Sequence, residues 1–153
     1  MAEAAKFLTP EQVRHLAETA EQARAGLSRL AGYEVAYNST ALQLLDEWID
    51  RYLRQFPNPS QGMRLLWISF LGEMFRHRHR GEWIIQEHDK GRGLAILCPM
   101  ESGSLRAVDV SSQVGRRIAR GMSASLAYFY TVISIELKAI QYLSHQQLPP
   151  RSP

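Results

Sequence analysis

The chain has 153 residues, 45% hydrophobic and 22% charged, with a net charge of +3 and a pI near 9.2. This is ordinary globular composition, enough for one domain with a real core. No apolar run reaches the roughly 18 residues of a membrane-spanning helix, and a single cysteine, Cys98, rules out an intrachain disulfide and fits a reducing cytoplasm.

The N-terminus, Met1 to Lys6, lacks a basic segment followed by an apolar one, so no secretory signal is read. Thr9-Pro10-Glu11-Gln12 starts a helix: Thr9 caps, Pro10 suits the first position, and Gln12 completes a capping box. The helix is expected over 9–31, ending at Gly32. Val13, Leu16, Ala20, Ala23, Leu27 and Leu30 give it a thin apolar stripe. Asn38-Ser39-Thr40 opens a second helix, 39–56, with a strong face of Leu42, Leu45, Trp48, Ile49, Tyr52, Leu53 and Phe56. Asp46, Glu47, Asp50, Arg51 and Arg54 are placed mostly on its wet side, with Asp50 and Arg54 as an i,i+4 pair.

A third helix, 60–80, is apolar on most sides and is expected to be the core helix. Ser60 can cap it. Glu73 lies at the edge of its buried arc. A buried carboxylate must be paired or protonated, and Arg76, His77 and Arg80 lie within two turns of it. Glu73 is thus either a pocket acid or base or an anchor to Arg76 or to backbone donors of the next strand; the anchor reading is favoured. Gly72, costly inside a helix, implies close approach of another backbone. His77-Arg78-His79-Arg80 closes the helix, where its dipole favours cations.

After Gly81 the period becomes two. Trp83 to His88, Leu94 to Cys98 and Leu105 to Val110 form a three-stranded antiparallel meander over 82–110, turning at Asp89–Gly93 and Glu101–Ser104. Ser111 or Ser112 caps a short helix, 112–120, with Val114 and Ile118 inward and Arg116, Arg117 and Arg120 outward. Gly121 breaks it, and a last helix runs over 123–143. Its stripe, Leu126, Phe129, Tyr130, Ile133, Leu137 and Ile140, is widened by Val132, Ile135 and Tyr142. That width implies packing on two sides, against the core and sheet or against a dimer partner. The whole is α+β, one domain over 1–147 with helices on one face of the sheet, and a disordered tail at 148–153.

Leu44-Leu45-Asp46-Glu47-Trp48-Ile49, Leu71-Gly72-Glu73 with Arg76, Gly81-Glu82-Trp83, Val114-Gly115-Arg116-Arg117-Ile118 and Ser125-Leu126-Ala127-Tyr128-Phe129-Tyr130 together resemble a group of small bacterial domains of unknown function. The resemblance spans residues 39–133. It implies a bacterial cytoplasmic protein of α+β fold and brings no activity.

No catalytic set stands out. His77 and His79 are at i,i+2, so their side chains diverge, where helical metal sites use i,i+4; a His77, His88, Cys98 site has no spacing that demands it. Cys98 lies in an apolar run, where a thiol is inert, and Gly91-Arg92-Gly93 is too short for a phosphate loop. No cofactor and no metal is implied. Residues 64–120 hold ten Lys/Arg against six Asp/Glu, so Arg76, Arg78, Arg80, Lys90, Arg92, Arg116, Arg117 and Arg120 make a candidate basic patch. No nucleic-acid motif accompanies it, and nucleic acid is disfavoured. The leading expectation is a protein-interaction module, immunity-type or adaptor, with Tyr128, Tyr142, Arg116 and Arg120 as hot spots. The alternative is an enzyme or small-ligand binder with a pocket around Glu73 and Arg76; Arg80 is a further candidate binding residue.

Overall fold

The computed structural model describes residues 4–88 and 91–147, and the side chains of 5–87 and 91–138. Five helices and a four-stranded sheet follow one another as β1 (Ala4–Phe7), α1 (Pro10–Ala31), α2 (Ser39–Gln55), α3 (Gln61–His79), β2 (Glu82–His88), β3 (Gly91–Pro99), β4 (Leu105–Val108), α4 (Val110–Arg120) and α5 (Leu126–Gln147). A 3₁₀ turn, Gly121–Ala124, joins the last two helices. The α+β class holds. The expected tail at 148–153 lies outside the described residues.

The sheet has four strands, not three, in the order β1-β2-β3-β4 with every pair antiparallel. The extra strand is Ala4-Ala5-Lys6-Phe7, whose composition carries no strand signal. Backbone hydrogen bonding to the free edge of β2 makes it a strand, which side-chain pattern cannot reveal.

Local signals placed the helix starts well. Thr9 and Gln12 form the capping box, with Thr9 Oγ1 accepting from Gln12 N at 3.1 Å and Gln12 Oε1 accepting from Thr9 N at 2.9 Å. Asn38 caps α2, Ser60 caps α3, and Gly32 ends α1 in the left-handed region. Two starts are moved. Asp109, not Ser111 or Ser112, caps α4 through Ser112 N at 3.0 Å. The last helix begins at Leu126, because Gly121–Ala124 winds as 3₁₀.

α3 is the core helix: Trp67 and every residue from Ser69 to Phe75 are buried. It packs on α1, on β3 and on α4. Trp83, Ile96, Cys98 and Val108 present the core face of the sheet, and Leu126, Tyr130, Ile133 and Leu137 bring α5 into the same core.

Candidate functional site

Gly72 and Glu73 together receive Trp83. A Cβ at position 72 would lie 2.0 Å from Cη2 of the indole, so only glycine admits the ring. The close approach is therefore by a side chain rather than by the backbone of the strand. The indole Nε1 donates to Glu73 Oε2 at 2.8 Å. Arg76 grips both oxygens, Nε to Oε2 at 2.8 Å and Nη2 to Oε1 at 3.1 Å, and His77 Nε2 lies 3.2 Å from Oε1. The carboxylate is 1% exposed, while the side chains of Arg76 and His77 are 36% and 43% exposed. Glu73 and its partner Trp83 are closed to water, while Arg76 and His77 are not.

The network continues outward. Tyr37 stacks on Phe70 and on His77 with ring centroids 5.0 and 4.6 Å away, and donates its hydroxyl to Glu21 Oε2 at 2.7 Å. Hydrogen bonds from Arg24 and Tyr37 hold the Glu21 carboxyl below its ordinary range. Burial, with Glu21 as acceptor, pushes the Tyr37 phenol up. Arg24 Nη1 bonds Val35 O at 2.7 Å and Arg78 Nε bonds Tyr37 O at 3.2 Å. The α1–α2 connection is thereby pinned to the end of α3.

Arg76 and Arg80 line a cleft of about 430 Å³ with Phe7, Val13, Glu82 and Trp83, but Glu73 is not on its wall. Arg80 ends α3 in the left-handed region, φ 55° and ψ 37°, the non-glycine residue with positive φ among those described. Gly81 follows for a steric reason: a Cβ there would lie 2.2 Å from Ile96 Cγ2. An enclosed carboxylate whose oxygens are already taken is a packing hub. It has no open lone pair directed at a substrate, which counts against a ligand-facing Glu73.

A second buried ion pair overturns two sequence assignments. Asp46, placed on the wet side of α2, is 2% exposed, and Arg117, placed outward on α4, is 0% exposed. Arg117 Nε donates to Asp46 Oδ1 at 2.7 Å, and Nη2 donates to Asp46 O at 2.9 Å and to Asp50 Oδ1 at 2.7 Å. Asp50 thus pairs across the fold rather than along its own helix with Arg54. Asp46 also caps α5, accepting from Leu126 N at 3.0 Å, Ala127 N at 3.1 Å and Ser125 Oγ at 2.8 Å. One carboxylate joins α2, α4 and α5. The helical wheel carried a signal: Asp46 falls beside Leu42 and Ile49, and Arg117 beside Val110 and Val114, inside apolar arcs.

The basic patch does not assemble as drawn. Arg117 is buried, Arg92 pairs with Glu87, and Arg116 donates to Gln113 Oε1 at 2.8 Å. Lys90 lies outside the described residues. Arg78 and Arg80 share a shallow hollow with Lys138 and Glu101. Arg116, Arg120 and Tyr128 are exposed, and the side chain of Tyr142 is outside those described. Cys98 is fully buried, and burial pushes its thiol up to about 12. Among the described residues no three His, Cys, Asp or Glu side chains form a group able to hold a metal ion. No described helix is long and apolar enough to cross a membrane. Comparison with protein-family models, curated proteins and solved structures finds no match.

Proposed function

We propose that this chain is a non-catalytic protein-interaction module, of the immunity or adaptor type, working in the bacterial cytoplasm. The outer face of α5 carries the reading. Tyr128 is 70% exposed and Ile135 is 64% exposed, seven residues apart on one side of the helix. The opposite side, with Leu126, Tyr130, Ile133 and Leu137, belongs to the core. A tyrosine and an isoleucine held in water at this spacing suit anchoring in an apolar groove of a partner protein. Exposed Arg116 and Arg120 on α4 add the residue type that interface hot spots favour. The buried, reduced-type Cys98 agrees with a cytoplasmic setting.

The test recovers tagged protein from lysate of its own cells, with and without nuclease, beside a variant carrying Tyr128→Ala and Ile135→Ala. Both positions are exposed, so the variant should keep its circular dichroism spectrum. The expected outcome is a stoichiometric protein that survives nuclease and is lost from the variant. A partner that stays bound to the variant, and also to one with Tyr128, Tyr142, Arg116 and Arg120 all replaced by alanine, would overturn the reading. Mass by light scattering separates a foreign partner from a homodimer through α5.

A further inference from the structure

The core face of the sheet is not fully covered on the β1–β2 side. α3 lies over β3 with little reach onto β2, and α1 packs on α3 rather than on the sheet. Two cavities fill the gap, about 410 and 360 Å³, and they share Leu65, Ile85 and Leu94 as walls. Ile85 and Leu94 are cross-strand partners and so face the helices together. All three shared residues are half-buried. Ile68 extends the apolar wall at one end, and Leu8 and Leu16 extend it at the other. Side by side, the two open hollows make an apolar groove surface between α1, α3 and the sheet, divided by the residues they share.

Its two mouths differ in charge. The mouth at the start of α3 is lined by Arg64 and Arg92 and contains no acid. Arg64 spends its hydrogen bonds on neutral acceptors, Pro59 O at 3.1 Å and Asn58 Oδ1 at 3.3 Å. Arg92 is held by Glu87 at 3.0 Å, with the two side chains 64% and 49% exposed, a pair that solvent screens and that is easily exchanged. The first turn of α3, at the same mouth, has no acidic residue to meet the positive end of its dipole. The far mouth instead carries Glu11, Gln12 and His15.

We propose that this groove binds a free long-chain fatty acid, with its carboxylate at Arg64 and Arg92 and its chain over Ile85 and Leu94 toward Leu8 and Leu16. The occupant follows from complementarity: an apolar depression of pocket size with Arg64, whose acceptors are neutral, and the solvent-screened Arg92–Glu87 pair at one end. The site lies apart from the outer face of α5, so it stands or falls independently of the interaction reading.

Isothermal titration with dodecanoate and hexadecanoate, each below its micelle concentration, tests the proposal. One saturable site per chain is expected. Each added methylene should tighten binding by about fourfold until the groove is filled. Methyl hexadecanoate should bind the unaltered protein at least about tenfold more weakly than the acid, as should hexadecanoate the Arg64→Ala variant. Leu94→Trp, which fills the shared wall, should abolish binding; should that variant fail to fold, the ester comparison needs no variant. Absence of saturable binding would overturn the proposal, and so would an ester that binds as well as the acid. Binding to phosphatidylglycerol vesicles without binding to the free acid would overturn it too, moving the surface to membrane lipid.

Discussion

Glu73 and Asp46 are both buried carboxylates gripped by an arginine, but they draw on opposite parts of the chain. Glu73 takes Arg76 and His77 from its own helix and Trp83 from ten residues on. Asp46 takes Arg117, Ser125, Leu126 and Ala127, which lie 71 to 81 residues away. Arg76 beside Glu73 also touches water, whereas Arg117 has no exposure at all. The first cluster is a local clamp that sets the turn from α3 into β2. The second is a joint between three helices that forms only once the whole fold closes. Solvent can take the place of the part-exposed Arg76 but not that of the fully buried Arg117, so losses at the two sites should differ in size.

The joint should break hardest. Removing one partner of a fully buried ion pair leaves an uncompensated charge, at about 3–5 kcal/mol. Arg117→Ala should lower the urea unfolding free energy by that amount; Asp46→Ala, which leaves Arg117 its ion pair with Asp50, should cost less through charge but should in addition fray the start of α5. The double variant should lose less than the two singles combined. Additive losses, or single losses below about 1 kcal/mol, would show that the joint is no unit.

Gly72→Ala comes next. Its Cβ meets the Trp83 indole, and overpacking of this kind costs about 1–3 kcal/mol. The atoms struck belong to the six-membered ring of the indole, beyond the reach of a phenylalanine. Gly72→Ala should therefore cost less in a Trp83→Phe background, and an equal cost in both backgrounds would contradict the packing account. Arg76→Ala should cost about 1 kcal/mol, since water can reach the vacated place. A loss as large as that of Arg117→Ala would erase the contrast between the two clusters.

The smallest effect is one of pH. His79 Nε2 lies 2.9 Å from Ser134 Oγ, against Phe75 and Tyr130. Burial first, then Lys138 and Arg78, hold its pKa below the ordinary histidine value. The unfolded chain therefore takes up this proton before the folded chain does. The contribution of His79 is complete above about pH 6.5 and is lost as pH falls toward the lower folded value. Unfolding midpoints at pH 7.5 and 5.5 should lie closer together in His79→Gln than in the unaltered protein. An unchanged interval would remove His79 from the acid response.

How legible each site was follows the distance its partners travel. Glu73 with Arg76 could be read because a helix brings i+3 and i+4 neighbours together without help from the rest of the fold. That Gly72 guards a close approach was also legible, but not that the guest is an indole. Asp46 and Arg117 were each assigned to water because their charge was weighed above their place on the wheel. Either would be wrong inside an apolar arc without the other, and nothing in one helix announces its partner in another. β1 escaped notice because an edge strand needs only backbone donors and acceptors.

By itself the sequence determined what depends on residues within a turn of one another. That covers the α+β class, the caps at Thr9, Asn38 and Ser60, the core character of α3 and the reach of Arg76 to Glu73. Only the tertiary structure decided the fourth strand, the joint of Asp46 with Arg117, and the groove left open over Ile85 and Leu94. Each of these depends on how elements far apart in the chain are set against one another. Hydrophobic periodicity fixes which face of an element turns inward, but not which neighbour that face will meet.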